Sequence, residues 1–349
     1  MGYNRVATPR AYIDLINFNL AHGWSTSSNI TVLQDDGSTA VTFDAGTKES
    51  MFDLRPANFA QIDDATQAFY IQYDTEFATD TLAESNFLAI LGHNFHDADV
   101  VFKVQIDDAS DMGSATTVST TGSHTKVINA AADAASGYID PANNGWTLIT
   151  WNTQTSDNRY VRITIEDDDG TGSNFAEDVQ IGAIAYGEYI DFPSSPDLSV
   201  QTSINYDSTK LQSSVGGNTY ANTASFGQPK WAATVPWNNT TGSGQEAYSF
   251  NNRYGRINHQ MNFSYIADTN LFAADQHDNA ATGWFDSSDL HSQFYNKILG
   301  QHNPFLFTID KDSPTEGDYG LFRLADSGLN ATQIANRTWS LGLNLVETW

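Results

Sequence analysis

Apolar and polar residues alternate along much of this chain with a period of two. In VVFKVQID the side chains of Val100, Phe102, Val104 and Ile106 fall on one side of an extended backbone. In RYVRITI those of Val161, Ile163 and Ile165 do the same, and the closing run TWSLGLNLVETW places Trp339, Leu341, Leu343 and Leu345 on one face. AFYIQY, from Ala68 to Tyr73, reads as a strand of near-continuous apolarity. Clusters of Gly, Asn and Asp punctuate the runs FLAILGHNF, GWTLITWN and DVQIGAIAYGE. Short strands with such punctuation predict an antiparallel β-sandwich, so the expected class is all-β.

Other stretches carry weaker patterns. AYIDLINFNLAHG, ending at Gly23, reads as a strand followed by a short irregular turn. From Ala109 to Ala142 large apolar residues are scarce and Ser, Thr, Ala and Gly dominate, which predicts a long loop with a short hairpin at most. Phe192-Pro193-Ser194-Ser195-Pro196 has the composition of an extended connector. It divides the chain into a sandwich domain over 1–192, a linker over 193–197 and a second β-rich domain over 198–349. In that second part Val215-Gly216-Gly217 turns between two strands. Leu290, Phe294, Ile298 and Leu299 follow near-helical spacing up to Gly300, which predicts a helix near 287–299 capped by Asp286 or Ser287. PFLFTID and LFRLA then form a hairpin.

Composition narrows the partners. The 349 residues suffice for two domains with sizeable cores, and Asp+Glu 42 against Lys+Arg 16 leaves a net charge of -26. Such a field repels nucleic acid and anionic membrane surfaces, both of which need Lys and Arg to be bound. There is no cysteine, which excludes disulfides and thiolate metal sites. No apolar run reaches the roughly 18 residues of a spanning helix, and MGYNRVATPRAYIDL lacks the apolar core of a secretory signal. The expectation is synthesis in a cytoplasm without membrane insertion.

Candidate chemistry is sparse. No nucleophile elbow, phosphate-binding loop or dinucleotide fingerprint occurs, and no cofactor is implied. His93 and His96 could join Asp97 or Asp99 around a metal, but their setting, LGHNFHDAD, reads as a turn in which His93 or Asn94 satisfies backbone groups. In the run from Glu166 to Gly170, Asp167, Asp168 and Asp169 are weak candidates for a calcium ion at a hairpin tip, although the spacing fails the EF-hand template. Asp107, Asp108 and Asp111 form a similar, weaker group. Trp146 and Trp151 are candidates for stacking on a sugar ring, with Trp231 and Trp237 behind them. Nothing singles out the paired carboxylates of a glycoside hydrolase, so the chain reads as non-enzymatic.

The order of the pieces carries a resemblance. PRAYIDL, LAILGHNF, the central strand, the Trp-rich strand, RYVRITI and IGAIAYGEYIDFP together resemble the galactose-binding-like jelly roll of minor tail proteins of tailed bacteriophages. From Asp197 onward, the Gly-Gly turn, the helix before PFLFTID and the final LNLVE strand are similar to the β-rich domains of distal tail or baseplate proteins. The resemblance implies a virion structural protein, synthesised in the host cytoplasm, that packs with copies of itself and other tail proteins into a ring or collar. The alternative is a carbohydrate-binding module or adhesin recognising a host surface glycan, since the same jelly roll hosts such modules.

Overall fold

Val100, Phe102, Val104 and Ile106 are all buried on one strand, as their alternation requires. The computed structural model describes residues 7–56, 58–76, 85–120, 122–132, 136–142, 145–152, 158–168, 174–205, 209–223, 256–272 and 289–348. The strands of the first half are β1 (Arg10–Asp14), β2 (Ile30–Gln34), β3 (Phe43–Ala45), β4 (Ala60–Ile62), β5 (Ala68–Asp74), β6 (Phe87–Leu91), β7 (Val100–Asp107), β8 (Thr116–Thr117), β9 (His124–Ile128), β10 (Ala130–Ala132), β11 (Ile139–Pro141), β12 (Trp146–Trp151), β13 (Tyr160–Asp167), β14 (Val179–Ile181) and β15 (Ala183–Asp191). Those of the second are β16 (Gln201–Asn205), β17 (Thr209–Ser213), β18 (Thr219–Thr223), β19 (Arg256–Ala267), β20 (Phe305–Thr308), β21 (Tyr319–Leu324), β22 (Ala331–Ala335) and β23 (Thr338–Glu347). The helices are short: α1 (Leu15–Ala21), α2 (Asp268–Leu271) and the π-type α3 (His291–Asn296).

The chain is nearly all β, in antiparallel sheets. One face of the sandwich is the sheet β10-β11-β7-β13-β5-β2, and the other is the stretch β1-β15-β6-β12-β9 of a larger sheet. Ile71, Val104 and Ile163 from the first meet Leu88, Ile90, Ile149, Trp151 and Ile184 from the second in one apolar cluster. Burying such side chains is worth about 1.5–3 kcal/mol each.

Two expectations need correction. The segment after β1 is a helix, not an irregular turn. Asp14 caps α1 by accepting from the backbone N–H groups of Ile16 at 3.3 Å and Asn17 at 2.8 Å, and Leu15, Ile16, Phe18 and Asn19 are buried beneath it. The stretch from Ala109 to Ala142 is not one long loop, because it contains β8, β9, β10 and β11. β9 and β10 lie at sheet edges, where one side faces water, so HTKVI and AAA carry little apolar signal.

The helix near 287–299 lies where its apolar spacing put it, with Leu290, Phe294 and Ile298 buried. Asp286 and Ser287 fall outside the described residues. Within them Asp289 accepts from the Ser292 N–H at 2.9 Å, and Gly300 ends the segment at φ +66°.

No strand lies between β15 and β16, and hydrogen bonding does not break between the two halves. The larger sheet runs β16-β19-β23-β21-β20-β1-β15-β6-β12-β9, with β20 pairing β1 at Arg10–Thr308, Ala11–Phe307 and Tyr12–Leu306. Ala11, Ile13 and Phe192 accordingly belong to the second core with Phe263, Phe294 and Leu343. A third cluster lies on the opposite face of the same sheet, where Tyr12, Leu306 and Leu321 meet Phe87, Ala89, Trp146 and Leu148. The sheet curls around it. From β9, the Lys126 ammonium donates to the carbonyls of Lys311 at 2.5 Å and Ser313 at 3.2 Å, both in the β20–β21 connection.

Candidate functional site

The tryptophans proposed from sequence for sugar stacking are core residues. Trp146 and Trp151 are 3% and 0% exposed, on opposite faces of β12. The Trp151 indole donates to the Ser85 carbonyl at 3.0 Å, and the Trp146 ring lies 5.8 Å from that of Tyr319. Neither offers a ring face to a ligand. Trp231 and Trp237 lie outside the described residues. Trp151→Ala and Trp146→Ala are each expected to cost about 3–5 kcal/mol in urea unfolding, as large aromatic truncations in cores do. An unchanged midpoint in either variant would remove it from the core.

The acidic run is dispersed. Asp167 ends β13 opposite Val100 and is buried, whereas Asp168 is exposed and donates its backbone N–H to the Asp99 carbonyl at 2.9 Å. Asp169 lies outside the described residues. In the other run, the Asp107 carboxylate accepts from the backbone N–H groups of Asp108 and Ser114 at 2.8 and 3.0 Å, so it shapes its own loop.

His93 and His96 do not converge. His93 is buried, its Nε2 is 3.1 Å from Thr147 Oγ1, and burial pushes its imidazole down to about 3, so it stays neutral at ordinary pH. Asn94 does satisfy backbone groups: its amide donates to the Asp178 carbonyl at 2.9 Å and its oxygen accepts from the Gln180 N–H at 2.8 Å. His96 is exposed.

Among the described residues, Asp63, Asp64 and Asp178 are the three carboxylates close enough to share a cation, with ligand oxygens within 4.8 Å of one another. Sequence reading missed them because the turn after β4 and the residue before β14 are far apart in the chain. Protein donors already occupy much of this group: Asp178 accepts from the Gln61 amide at 2.5 Å and the Asp64 N–H at 3.1 Å, and Asp63 from the Ala65 N–H at 2.8 Å.

A polar ladder crosses the outer face of the sheet built on β7, β13 and β5. The register places Tyr70, Thr164 and Lys103 in one row and Gln72, Arg162 and Gln105 in the next. The Arg162 guanidinium sits 4.2 Å over the Tyr70 ring and donates to Gln72 at 2.8 Å and to the Ser110 carbonyl at 3.2 Å. Lys103 lies 4.7 Å over the Tyr138 ring and 3.9 Å from Glu166, which accepts the Tyr138 hydroxyl. Burial, reinforced by Glu166, raises the Tyr138 phenol, so it remains a donor at any ordinary pH. Tyr70, Gln72 and Thr164 are buried in this ladder, Lys103, Tyr138, Arg162 and Glu166 are half-buried at its rim, and the polar groups largely satisfy one another. Sequence reading named only Glu166 here, because a ladder across strands has no local motif.

The second feature is apolar. Among the described residues nine large hydrophobic side chains are exposed, and five of them, Leu198, Ile204, Leu211, Val215 and Tyr220, fall between residues 198 and 220. Leu198 is 91% exposed and Leu211 70%. β17 and β18 form a two-stranded hairpin joined to no other sheet in the described residues, with Gly217 at φ +83° in its turn. A lone hairpin of this kind is marginally stable in water.

No family model matches this chain, and no curated protein matches it. In the search of solved structures, two crystal structures align with it. Both are of chitosan-binding module 1 from a chitosanase/glucanase of Paenibacillus sp. IK-5, one of them a selenomethionine-labelled mutant. They are 13% and 14% identical, cover 46% of this chain and 92% and 93% of their own, and give a TM-score of 0.28.

Proposed function

We propose that this chain is a non-enzymatic structural protein that works by assembly, and that its setting is the tail tip or baseplate of a bacteriophage. The observation that carries the reading is the exposed apolar stretch from Leu198 to Tyr220. Five of the nine large hydrophobic side chains exposed among the described residues fall in this one stretch, which a covering partner would explain. The phage setting comes from the motif order of residues 10–188 and of the part after Asp197. A ring or collar follows if each copy offers one patch to the next and the rotation closes. The test is to look for the protein by mass spectrometry and antibody labelling in purified phage particles from the source. Labelling at the tail tip is the expected result, and absence from every particle sinks the phage setting.

A second reading has its own support. The half-buried rim of the ladder, Lys103, Tyr138, Arg162 and Glu166, combines an aromatic ring with charged hydrogen-bonding groups, the types that hold saccharides, so the sandwich also suits recognition of a surface glycan. Under that reading Tyr138→Ala weakens binding on a glycan array about tenfold or more while the fold persists, because the ring at the rim is lost. An array with no hit for the wild-type protein ends it.

A further inference from the structure

The two ends of the largest sheet are finished differently. At one end β9 carries Lys126, whose ammonium is tied to the β20–β21 connection. At the other end β16 pairs β19 in regular register and pairs nothing on its outer side among the described residues. Natural sheets protect such an edge with Lys, Pro or a bulge, because a row of unpaired N–H and C=O groups invites another strand. Gln201, Thr202, Ser203, Ile204 and Asn205 contain neither of these residues, and their pairing with β19 shows no bulge.

Charge then selects the strand that can arrive. The whole chain carries -26, so two copies repel over most of their surfaces. From Leu198 to Thr223 the only charged residues are Asp207 and Lys210, which cancel. This near-neutral segment is therefore a place where a second copy can approach without bringing like charges together.

We infer that β16 pairs antiparallel with β16 of a second copy about a two-fold axis, with the β17–β18 hairpins packing beside the joint. The inference rests on the assembly reading, and because a two-fold contact closes on two copies, it makes a dimer the unit from which any ring is built through a further surface. Centred on Ser203, the pairing sets Thr202 against the partner's Ile204 and Gln201 against the partner's Asn205, with no charge opposed. Five residues of edge bury too little surface for a stable interface, which needs about 1,000 Å² or more. Leu211, Val215 and Tyr220 supply the rest by covering one another across the axis.

The absence of cysteine makes the test direct. Ser203→Cys on the axis places two thiols on residues whose Cα atoms are about 4.5–5.5 Å apart, within disulfide reach. Ser38→Cys, in an exposed turn of the sandwich, is the control. The expected result is self-association of the wild-type protein by light scattering and rapid disulfide dimer formation by Ser203→Cys but not Ser38→Cys. Ile204→Asp, which would bury an unpaired carboxylate, weakens association at least about tenfold. Self-association in which Ser203→Cys crosslinks no faster than Ser38→Cys overturns the inference and leaves assembly standing. A wild-type monomer that is found in tail particles does the same and assigns the segment to another tail protein. A monomer absent from particles removes both.

Discussion

Glu188→Ala is expected to destabilise the protein by about 3–5 kcal/mol, while the double variant Glu188→Leu with Lys297→Met remains close to wild type. Lys297, next to the π-type helix α3, is 1% exposed, and its ammonium is 2.6 Å from the Glu188 carboxylate on β15. Gln293, one turn back, accepts a further hydrogen bond from it. Around the pair lie Ile13, Phe294 and Ile298 of the second core. Removing Glu188 alone strands a charge in that core, and an unpaired buried charge costs far more than the pair contributes. Removing both charges and filling the space with apolar side chains takes away the desolvation cost along with the attraction. Lys297→Met alone costs less than Glu188→Ala, because the Glu188 side chain is 18% exposed and can still reach water. Urea titrations of the four proteins decide the matter. A Glu188→Ala loss below about 1 kcal/mol would mean that water reaches Lys297 and that the two halves are not fastened there.

How much of this was legible in the chain depends on how local each signal is. Alternation at Val100–Ile106 and at Leu341, Leu343 and Leu345 located strands and their buried faces, because a period of two needs only neighbours. The same rule held the answer for the tryptophans. Trp146 and Trp151 are five residues apart and so point to opposite faces, and the residues between them, TLIT, are apolar or small enough for burial on both sides. A strand covered on both faces hides both rings. The α1 helix escaped because its one start signal, Asp14, sits inside what reads as a continuing strand. The pairing of β1 with β20 had no signal at all, since partners almost three hundred residues apart leave no pattern in either segment. Separation along the chain likewise hid the meeting of Asp64 with Asp178 and the ladder over β5, β13 and β7. The stretch from Leu198 to Tyr220 was read as strands around a turn. Its exposure became visible only once the sheet showed which edge it leaves open.

Asp14→Ala is expected to destabilise the first half strongly, and its cost should grow as the pH falls. The carboxylate is fully buried and accepts four hydrogen bonds: from the backbone N–H groups of Ile16, Asn17 and Tyr186 and from the Asn17 amide, at 2.7–3.3 Å. Alanine leaves these donors unmet and removes the helix cap, a loss of about 3 kcal/mol or more at pH 7. Burial and the four donors pull its pKa in opposite directions, and burial wins, pushing it up to about 6. A carboxyl whose folded pKa lies above its unfolded 3.8 favours folding most when both states are protonated, and that advantage is lost as pH rises through the window from 3.8 to about 6. The shift amounts to about 3 kcal/mol, so the gap between wild type and Asp14→Ala widens by that order from pH 7 to pH 4. The wild-type profile alone would not show it. Glu347, pushed by burial up to about 7, acts in the same direction, while His93 and His259, pushed by burial down to about 3 and about 4, destabilise the fold as pH falls below their unfolded 6.5. The four nearly cancel between pH 5 and 6. The difference between the two proteins isolates Asp14, since the other three groups are common to both. Chemical denaturation of each at pH 7, 5.5 and 4.5 is the measurement. A gap that narrows towards acid would mean that the four donors outweigh burial, and that Asp14 sits in the fold as a stable anion.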